Sequence, residues 1–246
     1  MIYLISGKVG CGKSTALYRI VEMLGVKRCA GLLAGEILEE GERAGFSTLG
    51  LHSRRKIVLA HRDIDKTYAV EDFGVDLEAF EDLCRAEFAS AMSDDKIRFI
   101  IIDEIGRMQL MSEQFQRLLL EIAESDRTII ASICYEDDLA FVREFKERED
   151  VRLFILNEES RSMIPLMIVR EACSDDSVYL EKLELAMKYR REKERYEYEG
   201  EERIILNSTH GKRTITRQNG IWHCDCDYYN ETGTCSHILS LLIPDE

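Results

Sequence analysis

An eight-residue run near the start of the chain constrains its fold more than any other feature. Gly7-Lys8-Val9-Gly10-Cys11-Gly12-Lys13-Ser14 fits the pattern G-x-x-x-x-G-K-[ST]. It follows the apolar residues 2–5, which read as a strand, and opens the amphipathic stretch 14–24, which reads as a helix. Strand, glycine-rich turn and helix N-terminus together aim backbone N–H groups inward and make an anion nest. In such a nest Lys13 reaches β- and γ-phosphates, the Ser14 hydroxyl ligates magnesium and Thr15 adds a contact to the α-phosphate.

The residues that follow alternate strand and helix patterns. Residues 31–37 and 45–51 read as a strand pair with a turn at 41–43, and 77–92 as a helix. Further on come a continuous apolar strand at 98–102, a helix at 112–125, a buried strand at 128–133, a helix at 139–147 and a last strand at 151–156. Fully apolar strands alternating with helices predict an α/β fold, three layers (α/β/α) around a mostly parallel sheet. The 246 residues suffice for one such domain and a small appendage.

A nest for phosphates needs an acidic partner at the end of a buried strand. Phe99-Ile100-Ile101-Ile102-Asp103-Glu104 supplies it. Asp103 is expected to hold magnesium through its water, and Glu104 to orient or deprotonate an attacking water. Glu104 could also merely cap the strand. Ser132, ending the neighbouring strand, is either a γ-phosphate sensor or a satisfied core hydroxyl. Arg107 and Arg161 are candidates for the positive charge that a phosphoryl transition state needs, or for surface ion pairs.

At these residues the chain resembles the P-loop nucleoside-triphosphatase family of thermophiles and of the cancer-related animal enzymes. The resemblance rests on 7–15, Gly31-Leu32-Leu33-Ala34-Gly35, 41–46, 68–80, Asp103-Glu104-Ile105-Gly106-Arg107-Met108 with Phe115, 150–154 and 157–165. It covers about residues 1 to 171, and 103–108 with the 41–46 turn is its specific part. It implies a RecA-like domain with an additional strand and a catalytic glutamate. Slow magnesium-dependent hydrolysis of several nucleoside triphosphates is implied with it. Residues 31–37 are less polar than the family's usual version, and the chain continues past the family's usual end.

Beyond residue 172 the pattern changes. Residues 177–199 read as a helix that begins packed and ends solvated, a connector over 173–200. After Gly200 short β segments follow at 203–206, 213–217 and 221–223. Cys224-Asp225-Cys226, eight further residues and Cys235-Ser236-His237 give C-x-C-x8-C-x-H. Three thiolates and an imidazole suit a closed tetrahedral zinc site, and a module of 201–246 has too little core to stand without a staple. The pattern resembles the SWIM-type zinc finger, which binds DNA or proteins. Arg203, Lys212, Arg213 and Arg217 form its small positive set. Glu201, Glu202, Asp225, Asp227, Glu231, Asp245 and Glu246 outnumber them, so protein contact is at least as well supported as DNA contact.

Charge and hydropathy narrow the remaining classes. A net charge of -14 argues against a surface that tracks nucleic acid throughout. No apolar run approaches the roughly 18 residues of a membrane span, the first residues read as a strand rather than a signal peptide, and a cytoplasmic protein is expected. Two other functions compete with hydrolysis. One is a nucleoside or nucleotide kinase, with Arg143, Lys146 and Arg148 as a lid. The other is a binding module switched by nucleotide.

Overall fold

The computed structural model describes residues 1–135, 139–218 and 220–244; Asp245 and Glu246, counted in the acidic set above, lie outside them. The chain forms two compact units, Met1–Leu17 with Cys29–Arg161, and Tyr18–Arg28 with Ser162–Glu246.

In the first unit nine strands join one sheet among the described residues. In chain order they are β1 (Ile2–Ser6), β2 (Cys29–Glu39), β3 (Glu42–Gly50), β4 (Lys56–His61), β5 (Ala69–Val70), β6 (Phe73–Val75), β7 (Phe99–Ile105), β8 (Thr128–Ile133) and β9 (Val151–Ile155). The spatial order is β5-β6-β4-β3-β2-β7-β8-β1-β9. From β2 to β9 every pairing is parallel, and from β2 to β5 every pairing is antiparallel. The sheet is therefore mixed, which corrects the expectation of a mostly parallel one. Antiparallel strands need no crossover helix, so β2 and β3 close through a two-residue turn at Glu40 and Gly41, both at positive φ (51° and 87°). β8 lies between β7 and β1, and carries Ser132 alongside Ile5.

Helices α2 (Leu77–Ser93), α3 (Glu113–Ala123) and α4 (Ala140–Lys146) pack Phe80, Phe88, Phe115, Leu119, Val142 and Phe145 against Leu4, Leu32, Ile102 and Ala131 of the sheet. Each start is marked in sequence where a cap exists. Asp76 accepts from Ala79 N at 3.0 Å and Ser112 from Phe115 N at 2.9 Å. Glu87 of α2 is fully buried, and its carboxylate accepts from the backbone N–H groups of Gly31 (3.1 Å), His52 (2.9 Å) and Ser53 (2.8 Å).

The second unit takes its core from both ends of the chain. Helix α1 (Lys13–Leu24) begins in the first unit, and its residues from Tyr18 onward belong to the second. There they meet α5 (Ile164–Ala172), α6 (Ser177–Arg191), α7 (Asp227–Thr232), α8 (Ser236–Leu242) and a four-stranded antiparallel sheet. Its strands are β10 (Tyr196–Tyr198), β11 (Arg203–Ser208), β12 (Gly211–Gln218) and β13 (Ile221–Cys224), paired in that order. The buried Tyr179 hydroxyl donates to Met23 O at 2.9 Å, and Arg28 pairs with Asp176 at 2.7 Å. Near the end of α6, Tyr189 is fully buried and stacks on the His237 ring at 5.9 Å, and residues 196–198 enter the sheet as β10. No helix of the described residues is long and apolar enough to cross a membrane.

Candidate active site

The glycine-rich loop connects β1 to the first turn of α1, as its spacing predicts. Gly10 and Gly12 sit at φ of 78° and 103°, where side chains are strained. At Gly7 a Cβ would stand 2.6 Å from Leu156 O, so the loop can close against the end of β9 only because that position has none. Cys11 N donates to Lys8 O at 3.2 Å and Ala16 N to Gly12 O at 2.9 Å, fixing the loop and starting the helix. Lys8, Val9, Gly10, Ser14 and Thr15 are exposed, while Gly12 and Lys13 are half-buried. The Lys13 ammonium donates to Gly7 O at 3.0 Å. That contact folds the lysine back over the nest it is expected to serve.

The acidic pair lies on β7. Asp103 is 4% exposed, and its Oδ1 accepts from Ser132 Oγ at 2.6 Å. Its Oδ2 is buried with no partner. Burial pushes this carboxyl above the usual carboxylate range; the Ser132 and Ser14 hydroxyls, the Ala34 N–H and the Lys13 charge pull it part of the way back. Glu104 is also raised by burial, and again by Asp103, against the pull of Lys13. Lys13 Nζ stands 3.9 Å from Glu104 Oε1. The structure thus gathers Lys13, Ser14, Asp103, Glu104 and Ser132 at the ends of β1, β7 and β8. Ser132 is fully buried, and its hydroxyl donates to Asp103 Oδ1, holding that carboxylate. The Ala34 amide was not legible beforehand; its only signal was the backbone of a neighbouring strand.

A buried, charged oxygen without a partner costs about 1–3 kcal/mol, and a cation is what relieves it. With the Ser14 hydroxyl beside it, Asp103 has the hard-oxygen chemistry that magnesium takes. The arginines are less converged. Arg161 is exposed, with its backbone N–H on Asn157 O at 3.0 Å. Arg107 is exposed beyond β7. Of the three lid candidates, Arg148 is tied down by Asp150 and Glu124, both at 2.9 Å, which raises its pKa.

The cysteine–histidine cluster of the second unit also assembles. One ligand atom from each of Cys224, Cys226, Cys235 and His237 lies within 4.8 Å of the others, and all four residues are buried. His237 Nδ1 is 3.5 Å from Cys224 Sγ and 3.6 Å from Cys235 Sγ. Zinc–sulfur and zinc–nitrogen bonds of about 2.3 and 2.05 Å at a tetrahedral angle give about 3.6 Å for that edge, so the residues fit the ion. Hydrogen bonds from the Cys224 and Cys235 thiols pull the Cys226 thiol down, whereas burial pushes Cys235 up. Ile238 N points at Cys235 Sγ at 3.5 Å, and Thr214 N is held by Asp225 at 3.0 Å.

Residues 2–169 match the NTPase family. The nucleoside-triphosphatase THEP1 of Thermotoga sp. (strain RQ2) is 33% identical over 164 residues, which is 67% of this chain and 91% of that protein. The nucleoside-triphosphatase THEP1 of Methanothermobacter thermautotrophicus is 32% identical over 172 residues, 69% of this chain and 94% of that protein. Among solved structures, the crystal structure of THEP1 from Aquifex aeolicus superposes with a TM-score of 0.61 at 29% identity, covering 68% of this chain and 96% of that one. The solution structure of a human cancer-related nucleoside triphosphatase gives 0.61 at 28% identity, covering 70% and 97%. The nest built by Gly7 to Ser14 and the carboxylates that face it therefore sit in a chain that belongs to the NTPase family and is an NTP-hydrolysing enzyme.

Proposed function

We propose that the enzyme is magnesium-dependent, discriminates little among bases, and releases the nucleoside diphosphate and inorganic phosphate. The observation that carries the metal requirement is the buried, partnerless Oδ2 of Asp103 beside Ser14. Magnesium, when bound with the nucleotide, would neutralise phosphate charge. The chain's own residues do the rest. The backbone of Gly7 to Gly12 and the Thr15 hydroxyl hold the phosphates, and Lys13 attracts the β- and γ-oxygens. Glu104, half-buried and raised, takes the proton of the water that attacks the γ-phosphorus as the bond to the β–γ bridging oxygen breaks. Arg161 is the arginine assigned to the developing charge.

Residues 1–172 form the NTPase domain in this reading, and 201–246 a SWIM-type zinc module held by Cys224, Cys226, Cys235 and His237, with 173–200 joining them. A structural zinc there would supply folding energy to a small core. Three of its four cations are engaged: Arg203 with Glu199 at 3.2 Å, Lys212 with Glu197 at 3.4 Å and Arg217 over the Trp222 ring at 5.4 Å, while Arg213 is half-buried. That favours a protein partner over DNA. None of the eight cysteines forms a disulfide, in keeping with the reducing cytoplasm this reading assigns.

Phosphate release from each of the four NTPs, with magnesium and with chelator, tests the reading. Lys13→Ala is expected to abolish release and Glu104→Gln to lower kcat at least about a hundredfold. Equal turnover in chelator, or unchanged turnover in Lys13→Ala, would overturn it. About one zinc per chain is expected by metal analysis.

A further inference from the structure

Helix α1 ends at Gly25, whose φ is 92° and whose N–H donates to Val21 O at 2.9 Å. A 3-10 turn over Val26–Arg28 then leads into β2. Helix α7 lies against this exit, backbone to backbone. A Cβ on Gly25 would stand 2.3 Å from Thr232 O, and one on Gly233 would stand 3.0 Å from Val26 N. Lys27 Nζ donates to Asn230 O at 2.5 Å. Two side chains further up the helix are engaged as well. The Arg19 guanidinium donates to Leu242 O at the end of α8, and the Glu22 carboxylate accepts from the Trp222 N–H.

Asn230, Thr232 and Gly233 all lie between Cys226 and Cys235, in the eight-residue segment that a metal on the cluster would close at both ends. Within it Gly233 N donates to Tyr229 O at 2.8 Å, and the Tyr229 hydroxyl donates to Trp222 O at 3.0 Å. Closing a segment on a metal removes its conformational freedom. What the four ligands fix is therefore the segment that holds the end of α1. The opposite end of the same helix carries Lys13 and Ser14. A helix of 12 residues is marginal alone and forms cooperatively. Order imposed at its last turn lowers the ordering cost when a ligand binds at its first.

We propose that zinc in the second unit and nucleotide at the nest are linked through α1, each raising the affinity for the other. The zinc module is then a brace for the phosphate-binding helix, whatever partner it also recruits. The linkage rests on the reading that Cys224, Cys226, Cys235 and His237 hold zinc and that the nest holds the triphosphate. It assigns no contact between the zinc ligands and the nucleotide.

Calorimetric binding of a non-hydrolysable ATP analogue with magnesium tests this on the full chain, zinc-loaded and zinc-stripped, with magnesium restored after stripping. Stripping is expected to weaken the analogue at least about fivefold. The analogue is expected to tighten zinc by the same factor, read by competition with a chromophoric chelator. Amide exchange over residues 18–24 should quicken in the stripped protein while that of α3 stays as it was. Equal affinity for the analogue with and without zinc overturns the proposal, as does a zinc affinity indifferent to the analogue. Should the stripped protein unfold, the double variant Arg19→Ala/Lys27→Ala decides. With about one zinc per chain retained, its affinity for the analogue should fall at least about threefold, and unchanged affinity there also overturns the proposal. Purified protein without zinc, or zinc-loaded protein that does not bind the analogue, is a different failure: it overturns the underlying reading and the linkage with it.

Discussion

Replacing Asp103 with Asn should make the nucleotide-free protein more stable and nearly inactive. The carboxylate is 4% exposed, and one of its oxygens lacks any partner. Burial raises its pKa by more than Ser132, Ser14, Ala34 and Lys13 lower it. A carboxyl raised on folding binds its proton more readily in the folded state than in the unfolded one. Its contribution therefore favours the fold below the unfolded pKa and is lost as pH rises through the folded pKa. At neutral pH the empty site carries the cost of a buried charge with an unmade hydrogen bond, about 1–3 kcal/mol. Asn keeps the shape and still accepts from Ser132, and removing the charge also relieves Glu104, which Asp103 pushes up. A gain of about 1 kcal/mol corresponds to about 2–4 °C in Tm for a unit of this size. Thermal melting at about pH 7.5 and near pH 4 checks it, the gain being expected only at the higher pH, with phosphate release down at least about a hundredfold. An Asn variant less stable than the parent at neutral pH, or an equal difference at both, would refute the reasoning.

Three further outcomes follow from other contacts. Ser132→Ala removes a charge-assisted hydrogen bond of about 1.5–3 kcal/mol, so kcat/KM should fall tenfold or more at limiting magnesium and recover in part at high magnesium. A loss indifferent to magnesium would support the sensor reading. Glu87→Leu strands the N–H groups of Gly31, His52 and Ser53 in the interior. About 3 kcal/mol or more should be lost in urea unfolding, and a change below about 1 kcal/mol would show that water replaces the carboxylate. Cys235→Ser, or stripping with a strong chelator, should lower the melting temperature of the second unit and leave zinc below about one-half per chain; unchanged melting would remove the metal's structural role.

The parts of this fold that were legible in sequence are those whose geometry is local. The β1–loop–α1 join follows from glycines that alone tolerate the turn, and β7 from an apolar run ending in two acids. Beyond the β2–β3 pair, the antiparallel half was hidden for physical reasons. β5 and β6 span two and three residues, too few for a period to show, and β3 pairs with β4 through an irregularity at Phe46 and Ser47. The apolar stripe of α6 that includes Tyr189 was legible, but its partner was not, because His237 lies far along the chain. α5 carries Pro165 in its first turn, which is compatible with a helix start but reads as a break. In the site, Lys13, Asp103 and Glu104 converge as their motifs require.

Helix α1 has one more consequence, for where this chain can be cut. The family match stops at residue 169, which invites truncation there. Yet residues 18–28 belong with what such a cut discards. Shortened to family length, the chain would leave Met23 O without the Tyr179 hydroxyl and Arg28 without Asp176 and the Tyr179 ring, 5.6 Å away. The border of sequence kinship and the border of cooperative folding do not coincide here. A fragment that retains every residue of the nest would still carry a frayed end on the very helix that opens with Lys13 and Ser14.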